Sequence, residues 1–493
     1  RNKIHKSLAQ VKWLPEWGYE RIKNMIINRP DWCISRQRFW GVPIPLFVHK
    51  SSKELHKDTT GILEKAAAIV EQGGIESWFE YDKKLVLGND YESYEAVTDT
   101  LDVWFDSGVT HISVLQQRGF GDTADLYLEG SDQHRGWFQS SLITALATID
   151  KPPYKSVLTH GFVVDSEGQK MSKSLGNVIS PQDIIKSRGS DILRLWVATT
   201  DYTKEMNISD EIISRTAESY RRIRNTIKFL FSNIGDFDIN KDSIKNKDMV
   251  LIDKWILYKA INLQKSVIKN YESYKFHQIT QDIQNFCTLE LGGYYLDIIK
   301  DRLYTSKKDG PARRSCQTAC NILLEMLNLW IAPILSFTAE EIYQHMDNRK
   351  SKSVFLEYWS EYEIMIEKNE LEIAEIIFNL RQKTSKSLES LRNANEIGSS
   401  LDATVIITVN DDIYTKLLPY ADELKFIFIT SDCVLRNDKA MDEASIIVEK
   451  NLNKKCERCW HKTETVGTIK DHEGLCRRCY NNVFETGEIR RLG

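Results

Sequence analysis

No stretch of this 493-residue chain approaches the roughly 20 consecutive apolar residues that a membrane-spanning helix needs, so no membrane partner is expected. The opening residues do not read as a secretory signal either. Neither sign of charge dominates. With 66 Lys and Arg against 70 Asp and Glu the net charge is −4, so average charge does not argue for a nucleic-acid partner, and any such contact must come from local basic patches. Internal repeats and low-complexity linkers are absent. Nine cysteines, an odd number in a long chain, do not make a disulfide framework. Five of them, Cys33, Cys287, Cys316, Cys320 and Cys433, fall in apolar patterns and read as small buried hydrophobes in a reducing compartment. The chain starts at Arg1 without methionine and reads as the middle of something longer, a fragment.

What is present is ordinary globular material, 42% hydrophobic and 28% charged, and too long for one core. Four segments are expected: 1–205, 206–365, 366–450 and 451–493. The first reads as α/β. A helix is expected from Arg1 to Asn28, then an extended start at Trp32-Cys33-Ile34-Ser35 and an arginine-bearing turn through Arg36, Arg38 and two prolines. Residues 50–95 read as a small insertion with one helix, Gly61 to Gln72. Two hydrophobic stretches then run into acidic, glycine-containing turns, Thr100 to Gly108 and Leu126 to His134, as strands do at the ligand-bearing edge of a parallel sheet. A helix, Trp137 to Thr148, and a strand, Ser156 to Val164, follow.

From Ser209 to Met346 the period becomes helical, with apolar stripes through Ala217 to Leu230, Leu251 to Asn270, Tyr274 to Tyr304 and Ala312 to Trp330. Thr338 and Glu341 are spaced as a capping box. After a helix at Glu370 to Arg392 comes a small α+β unit, with strands at Ala403–Val409 and Lys425–Thr430 around a helix-like Asp411–Leu424.

The strongest local signal is Cys456-x2-Cys459 followed, after sixteen residues, by Cys476-x2-Cys479. Two such knuckles supply four thiolates to a tetrahedral zinc, and a closed shell of this kind is structural because it leaves no open position for catalysis. His461 and His472 can substitute as ligands, but four cysteines already satisfy the ion. The tail around them carries nine Lys and Arg against six Asp and Glu, a patch able to neutralise phosphates, with Trp460 and Tyr480 available to stack on bases.

The second signal is Lys170-Met171-Ser172-Lys173-Ser174-Leu175-Gly176-Asn177. Two lysines three apart among small hydroxyl residues form a mobile cationic loop suited to a polyphosphate, with lysine as a movable point charge. Lys383 to Ser387 nearly repeats the pattern but lies in a helical stripe and reads as a solvated helix face.

Lys170 to Ser174 resembles the KMSKS signature of the class I aminoacyl-tRNA synthetases, and the flanking text, including Asp132-Gln133-His134-Arg135-Gly136-Trp137-Phe138, resembles their bacterial isoleucyl branch. The resemblance implies a multidomain protein: the second half of a Rossmann-like α/β catalytic domain, a helical-bundle anticodon-binding domain, the small α+β unit and a four-cysteine zinc finger. It implies ATP with magnesium, isoleucine and tRNA(Ile) as partners, a monomer and a cytoplasmic location. Site by site, it puts Lys170, Met171, Ser172, Lys173, Ser174 and His160 at ATP, with Lys170 and Lys173 catalytic. Glu129, Asp132 and Gln133 would face the α-amino group and the adenylate, and Trp104 and Trp137 would wall the aliphatic pocket. Arg36 and Arg38 can reach phosphate or RNA. A sister synthetase for valine, leucine or methionine, or a non-catalytic tRNA-binding fragment, are the alternatives. The family's His-x-Gly-His signature occurs nowhere in the 493 residues, so the chain alone is expected to be inactive and unable to edit.

Overall fold

The computed structural model describes residues 2–29, 31–172, 174–347 and 349–493. It divides into two compact units, Arg1–Met171 with Tyr202–Asn207, and Ser172–Asp201 with Ile208–Gly493.

The first unit is built on a three-stranded parallel sheet in the order Lys12–Leu14, Tyr154–His160, Ala124–Gly130. Parallel neighbours need a crossover, and the helix Trp137–Thr148 supplies it for the long pair. Its Phe138 and Leu142 pack on Tyr154 and Val157, together with Leu8, Trp13 and Ile22. In register, Glu129 lies beside Thr159 and Gly130 beside His160, so both strands end at one edge.

The single helix expected over Arg1 to Asn28 is two helices, Asn2–Leu8 and Trp17–Ile27, with the strand Lys12–Leu14 between them. Val11 and Trp13 are buried while Lys12 is exposed, a period of two too short to stand out. Residues 47–96 form a separate lobe closed by the antiparallel pair Phe47–His49 and Tyr94–Ala96. Its helix runs Thr59–Gly73, capped by Asp58, and further short helices, Ile75–Glu80 and Lys84–Leu87, help enclose Phe47, Ile62 and Trp78.

The second unit is mainly helical. Asp210–Ser232, capped by Ser209, packs on Pro311–Ile331 and on Phe276–Asn285, which continues through Phe286–Tyr295 into Leu296–Thr305, and Leu251–Glu272 packs on Pro311–Ile331 and Phe276–Asn285. Ile227, Trp255, Ile279, Leu323 and Trp330 belong to one buried cluster. Inside it Arg302 grips Asp253 with two bonds, 2.6 and 2.7 Å, while Tyr295 and Ser315 donate hydroxyls to the same carboxylate. Thr338 does not open a helix. It lies inside Ser336–His345, where its amide and hydroxyl bind buried Asp191, a partner far away in sequence.

Beyond the bundle, the helix Lys368–Asn393 leads to a sheet in the order Asp432–Asn437, Ala403–Val409, Ser445–Lys450. The second Lys-Ser run falls within that helix, with Lys383 paired to Glu443 and Thr384 turned inward. The strand expected at Lys425–Thr430 is instead the helix Leu424–Phe428, ended by Ile429 at φ +55°. Leu424, Phe426, Ile427 and Phe428 are all buried, and a short run buried all round has no periodicity to tell helix from strand. None of the nine cysteines forms a disulfide, and Cys33 is exposed rather than buried, since its segment crosses the surface.

Candidate functional site

The edge where the long strands end carries the polar groups. Glu129 and Asp132 are exposed, and Gly130 donates its amide to Glu129 Oε2 at 3.3 Å. After the strand the turn Ser131–His134 bends the chain into the crossover helix. Gln133 is bound at both ends: its Oε1 accepts the Trp137 amide at 3.1 Å, capping that helix, and its Nε2 donates to Asp132 Oδ2 at 3.0 Å. Its amide oxygen is therefore occupied, and the residue orients Asp132. His134 is buried, its Nδ1 paired with the Ser131 carbonyl at 3.0 Å, and burial pushes its pKa down, so it is a neutral structural group.

The two tryptophans are fixed differently. Trp137 stacks on Tyr127 at 4.1 Å and donates its indole N–H to the Ser107 carbonyl at 2.9 Å. Trp104 is 39% exposed and lies against the turn, where a Cβ added to Gly136 would sit 2.7 Å from its ring and from Gln133 Oε1. Only glycine lets the indole lie that close. Buried Asp102, which sequence reasoning passed over, fixes this wall: it caps Val103–Gly108 through the Trp104 amide, accepts the Trp32 indole N–H at 2.9 Å and pairs with Arg36 at 2.5 Å. Its one signal was a carboxylate at a strand end. Arg36 also donates to the Cys33 and Ser35 carbonyls, so it is committed within its own wall.

His160 closes its strand with Nδ1 2.8 Å from the Gly161 carbonyl. Lys170 is exposed, bridges to Val164 and holds its ammonium 4.4 Å from the Phe162 ring centre. In the second unit Ser172 begins a tight turn: its amide donates to Asn177 Oδ1 at 2.9 Å and its hydroxyl meets that of Ser174 at 3.1 Å. Gly176 adopts φ +66° there. Lys173 lies outside the described residues.

The tail's four sulfurs, Cys456, Cys459, Cys476 and Cys479, are buried and lie within 4.8 Å of one another, with Cys459 and Cys476 at 3.7 Å. A tetrahedral zinc with bonds of about 2.3 Å sets its sulfurs about 3.8 Å apart, so the residues fit the ion. Amides of Cys476 and Cys479 point at Cys456 and Cys476 sulfurs, as thiolates require. Hydrogen bonds from the other three hold the Cys456 thiol far below its ordinary range, while bonding to Cys456 pushes Cys459 up to about 12. A dication is what lets all four ionise together. His461 is buried with Nδ1 near the Cys459 carbonyl, and His472 packs on Tyr480 and Phe484; neither joins the sulfur cluster.

Several tail cations read as phosphate contacts dock the tail instead. Arg478 and Arg490 share Asp301, Arg458 donates to the Thr305 carbonyl and Lys462 pairs with Asp402, while Arg477 pairs with Glu485 inside the tail. Trp460 stays 59% exposed, with Lys455 over its ring.

The sequence carries the signature of "tRNA synthetases class I (I, L, M and V)" over residues 1–209, of the "Anticodon-binding domain of tRNA ligase" over 253–407 and of the "Zinc finger found in FPG and IleRS" over 453–482. The chain belongs to the class I aminoacyl-tRNA synthetases. Along its whole length it is 49% identical to the isoleucine–tRNA ligase of Coxiella burnetii, covering 54% of that protein. The ligases of Ruthia magnifica (49%, over 99% of this chain and 54% of theirs) and Vibrio campbellii (48%, over 100% and 54%) match similarly. The chain thus spans about half the length of these curated relatives. Among solved structures, a leucyl-tRNA synthetase of Agrobacterium radiobacter, in ternary complex with tRNA and LeuAMS, aligns with a TM-score of 0.52 at 17% identity, over 78% of this chain and 45% of its own. A methionyl-tRNA synthetase of Mycobacterium tuberculosis with methionyl-adenylate aligns at 0.50 and 17%, over 70% and 60%. These two likenesses concern the fold.

Proposed function

We propose that the chain serves isoleucine–tRNA ligation: ATP-dependent formation of isoleucyl-adenylate and transfer of the isoleucyl group to tRNA(Ile). The observation that carries this reading is the 49% identity to isoleucine–tRNA ligases along the entire chain. In the first step a carboxylate oxygen of isoleucine attacks the α-phosphorus of ATP and pyrophosphate leaves. In the second, a terminal ribose hydroxyl of the tRNA attacks the acyl carbon and AMP leaves. Neither step requires a protein nucleophile, so positioning and charge neutralisation carry them.

Each residue's role follows from its chemistry. Glu129 and Asp132 supply carboxylates to the substrate ammonium, with Gln133 orienting Asp132. Trp104 and Trp137 bound the aliphatic side chain. Lys170 and Lys173 neutralise charge on the phosphates of ATP, which Met171, Ser172, Ser174 and His160 help bind, with magnesium accompanying ATP as substrate. Zinc supplies folding energy to the tail and no chemistry at the reacting atoms. We assign residues 1–205 to the catalytic part, 206–365 to anticodon binding, 366–450 to the α+β unit and 451–493 to the zinc finger, and read the protein as a cytoplasmic monomer.

The test is competition binding by the zinc-loaded chain between tRNA(Ile) and the valine, leucine and methionine tRNAs. Preference for tRNA(Ile) by tenfold or more, about 1.4 kcal/mol, is expected; equal affinity for all four overturns the assignment.

A further inference from the structure

Lys170 opens the lysine loop, and what holds its ammonium is a ring and not a carboxylate. The strand Tyr154–His160 runs on through Gly161 and Phe162 into the short strand Val163–Val164, and the chain then folds back. Asp165 Oδ1 accepts the Glu167 and Gln169 amides at 3.0 and 2.8 Å, Gly168 adopts φ +78°, and Lys170 bridges antiparallel to Val164. Side chains alternate along a strand, so Phe162 and Val164 share a face and Lys170, opposite Val164, is the diagonal neighbour of Phe162, within reach of a long side chain. Its Nζ lies 4.4 Å from the ring centre. Among the described residues no carboxylate pairs with it.

The ring is fixed from behind. The Gly161 amide donates to the Tyr202 carbonyl at 2.8 Å, the Met206 amide donates to the Phe162 carbonyl at 2.8 Å, and Val163 pairs with Met206 in parallel register. A Cβ on Gly161 would fall 2.0 Å from the Lys204 carbonyl oxygen, so only glycine admits this approach. On its other side the ring reaches the polar sheet edge: a Cβ on Gly130, the residue after Glu129, would lie 4.0 Å from it.

A carboxylate partner would order the lysine and cancel its charge. The ring face orders it through its quadrupole and leaves the charge intact. It also occupies one side of an ammonium that has three N–H donors, so phosphate oxygens can take the others with the ring in place. Part of the rotamer entropy that a free lysine gives up on meeting a phosphate is then lost beforehand.

We propose that Phe162 is the positioning residue for Lys170: its ring face holds the ammonium ordered and unneutralised at the sheet edge, ready for a polyphosphate. That the polyphosphate is ATP rests on the ligase reading; the ring contact does not. Inorganic tripolyphosphate is titrated by calorimetry into the zinc-loaded full chain at fixed ionic strength, and Lys170 is followed by NMR through its ε-methylene resonance, identified by its loss in Lys170→Gln. The ring current is expected to shift that resonance upfield. Phe162→Leu, which keeps an apolar side chain without the ring, is expected to return it to the ordinary lysine position and to weaken tripolyphosphate binding about two- to fivefold, the worth of a cation–π contact at an exposed site. Phe162→Tyr, which keeps the ring, is expected to preserve both. In the Lys170→Gln chain, Phe162→Leu is expected to change affinity no further. An unshifted resonance in the unaltered chain, or unchanged or tighter binding by Phe162→Leu, overturns the proposal. So does an equal loss with and without Lys170, which would show that the ring serves the fold and not the lysine, and so does absence of tripolyphosphate binding by the unaltered chain. Equal affinity for the four tRNAs sinks the ligase reading and leaves the resonance and the affinities to decide the role of Phe162.

Discussion

Asp301→Asn should release the zinc-binding tail from the helical bundle without emptying it of metal. Asp301 holds the buried ion cluster among the contacts that dock the tail: Oδ2 receives Arg478 at 2.6 Å and Arg490 at 2.8 Å, and Oδ1 receives Arg478 again at 2.9 Å. Glu488 pairs with Arg490 at 2.9 Å and approaches Arg478 at 3.6 Å, so two cations balance two anions. Burial opposes ionisation of Asp301, and the guanidiniums of Arg478 and Arg490 overcome it, holding the carboxyl well below the usual carboxylate range. Asparagine removes the charge and keeps the shape. Two guanidiniums roughly 5 Å apart at an effective dielectric of about 20 repel by about 3 kcal/mol, and breaking a buried pair by removing one partner costs about 3–5 kcal/mol. Hydrogen exchange reads this directly: protected amides in 451–493 should exchange about 150- to 4,000-fold faster, the factor corresponding to that cost at about 1.4 kcal/mol per decade, while zinc content stays stoichiometric. Unchanged exchange would show that the ion cluster does not hold the tail. Loss of zinc in step with docking would show that knuckle and bundle fold as one unit.

Chelation tests the complementary term. Stripping zinc should unfold residues 453–482, because the small cluster of Cys456, Cys459, Val466, Cys476 and Cys479 is mostly the ligands themselves; far-UV and near-UV circular dichroism should recover on adding zinc back. In the bundle, Asp253→Leu should cost about 3–5 kcal/mol by stranding Arg302, whereas Asp253→Leu with Arg302→Met should recover most of it, so that in denaturant titrations the double variant costs far less than the two single variants summed. Asp236, whose carboxyl the hydrogen bond from Arg313 holds down to about 2, contributes stability that is complete above about pH 4 and lost as pH falls from 4 towards 2. Asp236→Asn should flatten the acid limb in that window.

The parts of the molecule legible from sequence are those governed by local spacing. The long helices Leu251–Glu272 and Pro311–Ile331 show their period over five or six turns, and Ala403–Val409 shows a strand. The four cysteines meet because each CxxC is a turn of its own. What stayed hidden depends on partners distant in sequence. Lys12–Leu14 is a strand because Tyr154–His160 pairs with it, and Leu424–Phe428 is a helix because apolar neighbours cover it on all sides. Thr338 answers to Asp191, and the tail's arginines answer to Asp301, so composition credited them with roles that geometry has already filled. Asp102 was the largest omission at the site, since nothing in Leu101-Asp102-Val103 reveals that Trp32, Arg36 and the Trp104 amide converge on it.

The central proposal is that Trp104 and Trp137 wall a pocket for isoleucine, and calorimetric titration with non-hydrolysable aminoacyl-adenylate analogues tests it most directly. The isoleucyl analogue should bind more tightly than the valyl one by about 10- to 200-fold, the general worth of one methylene in an apolar pocket, and Glu129→Gln should weaken both alike. Tighter binding of the valyl, leucyl or methionyl analogue, or indifference to Glu129→Gln, would contradict the account.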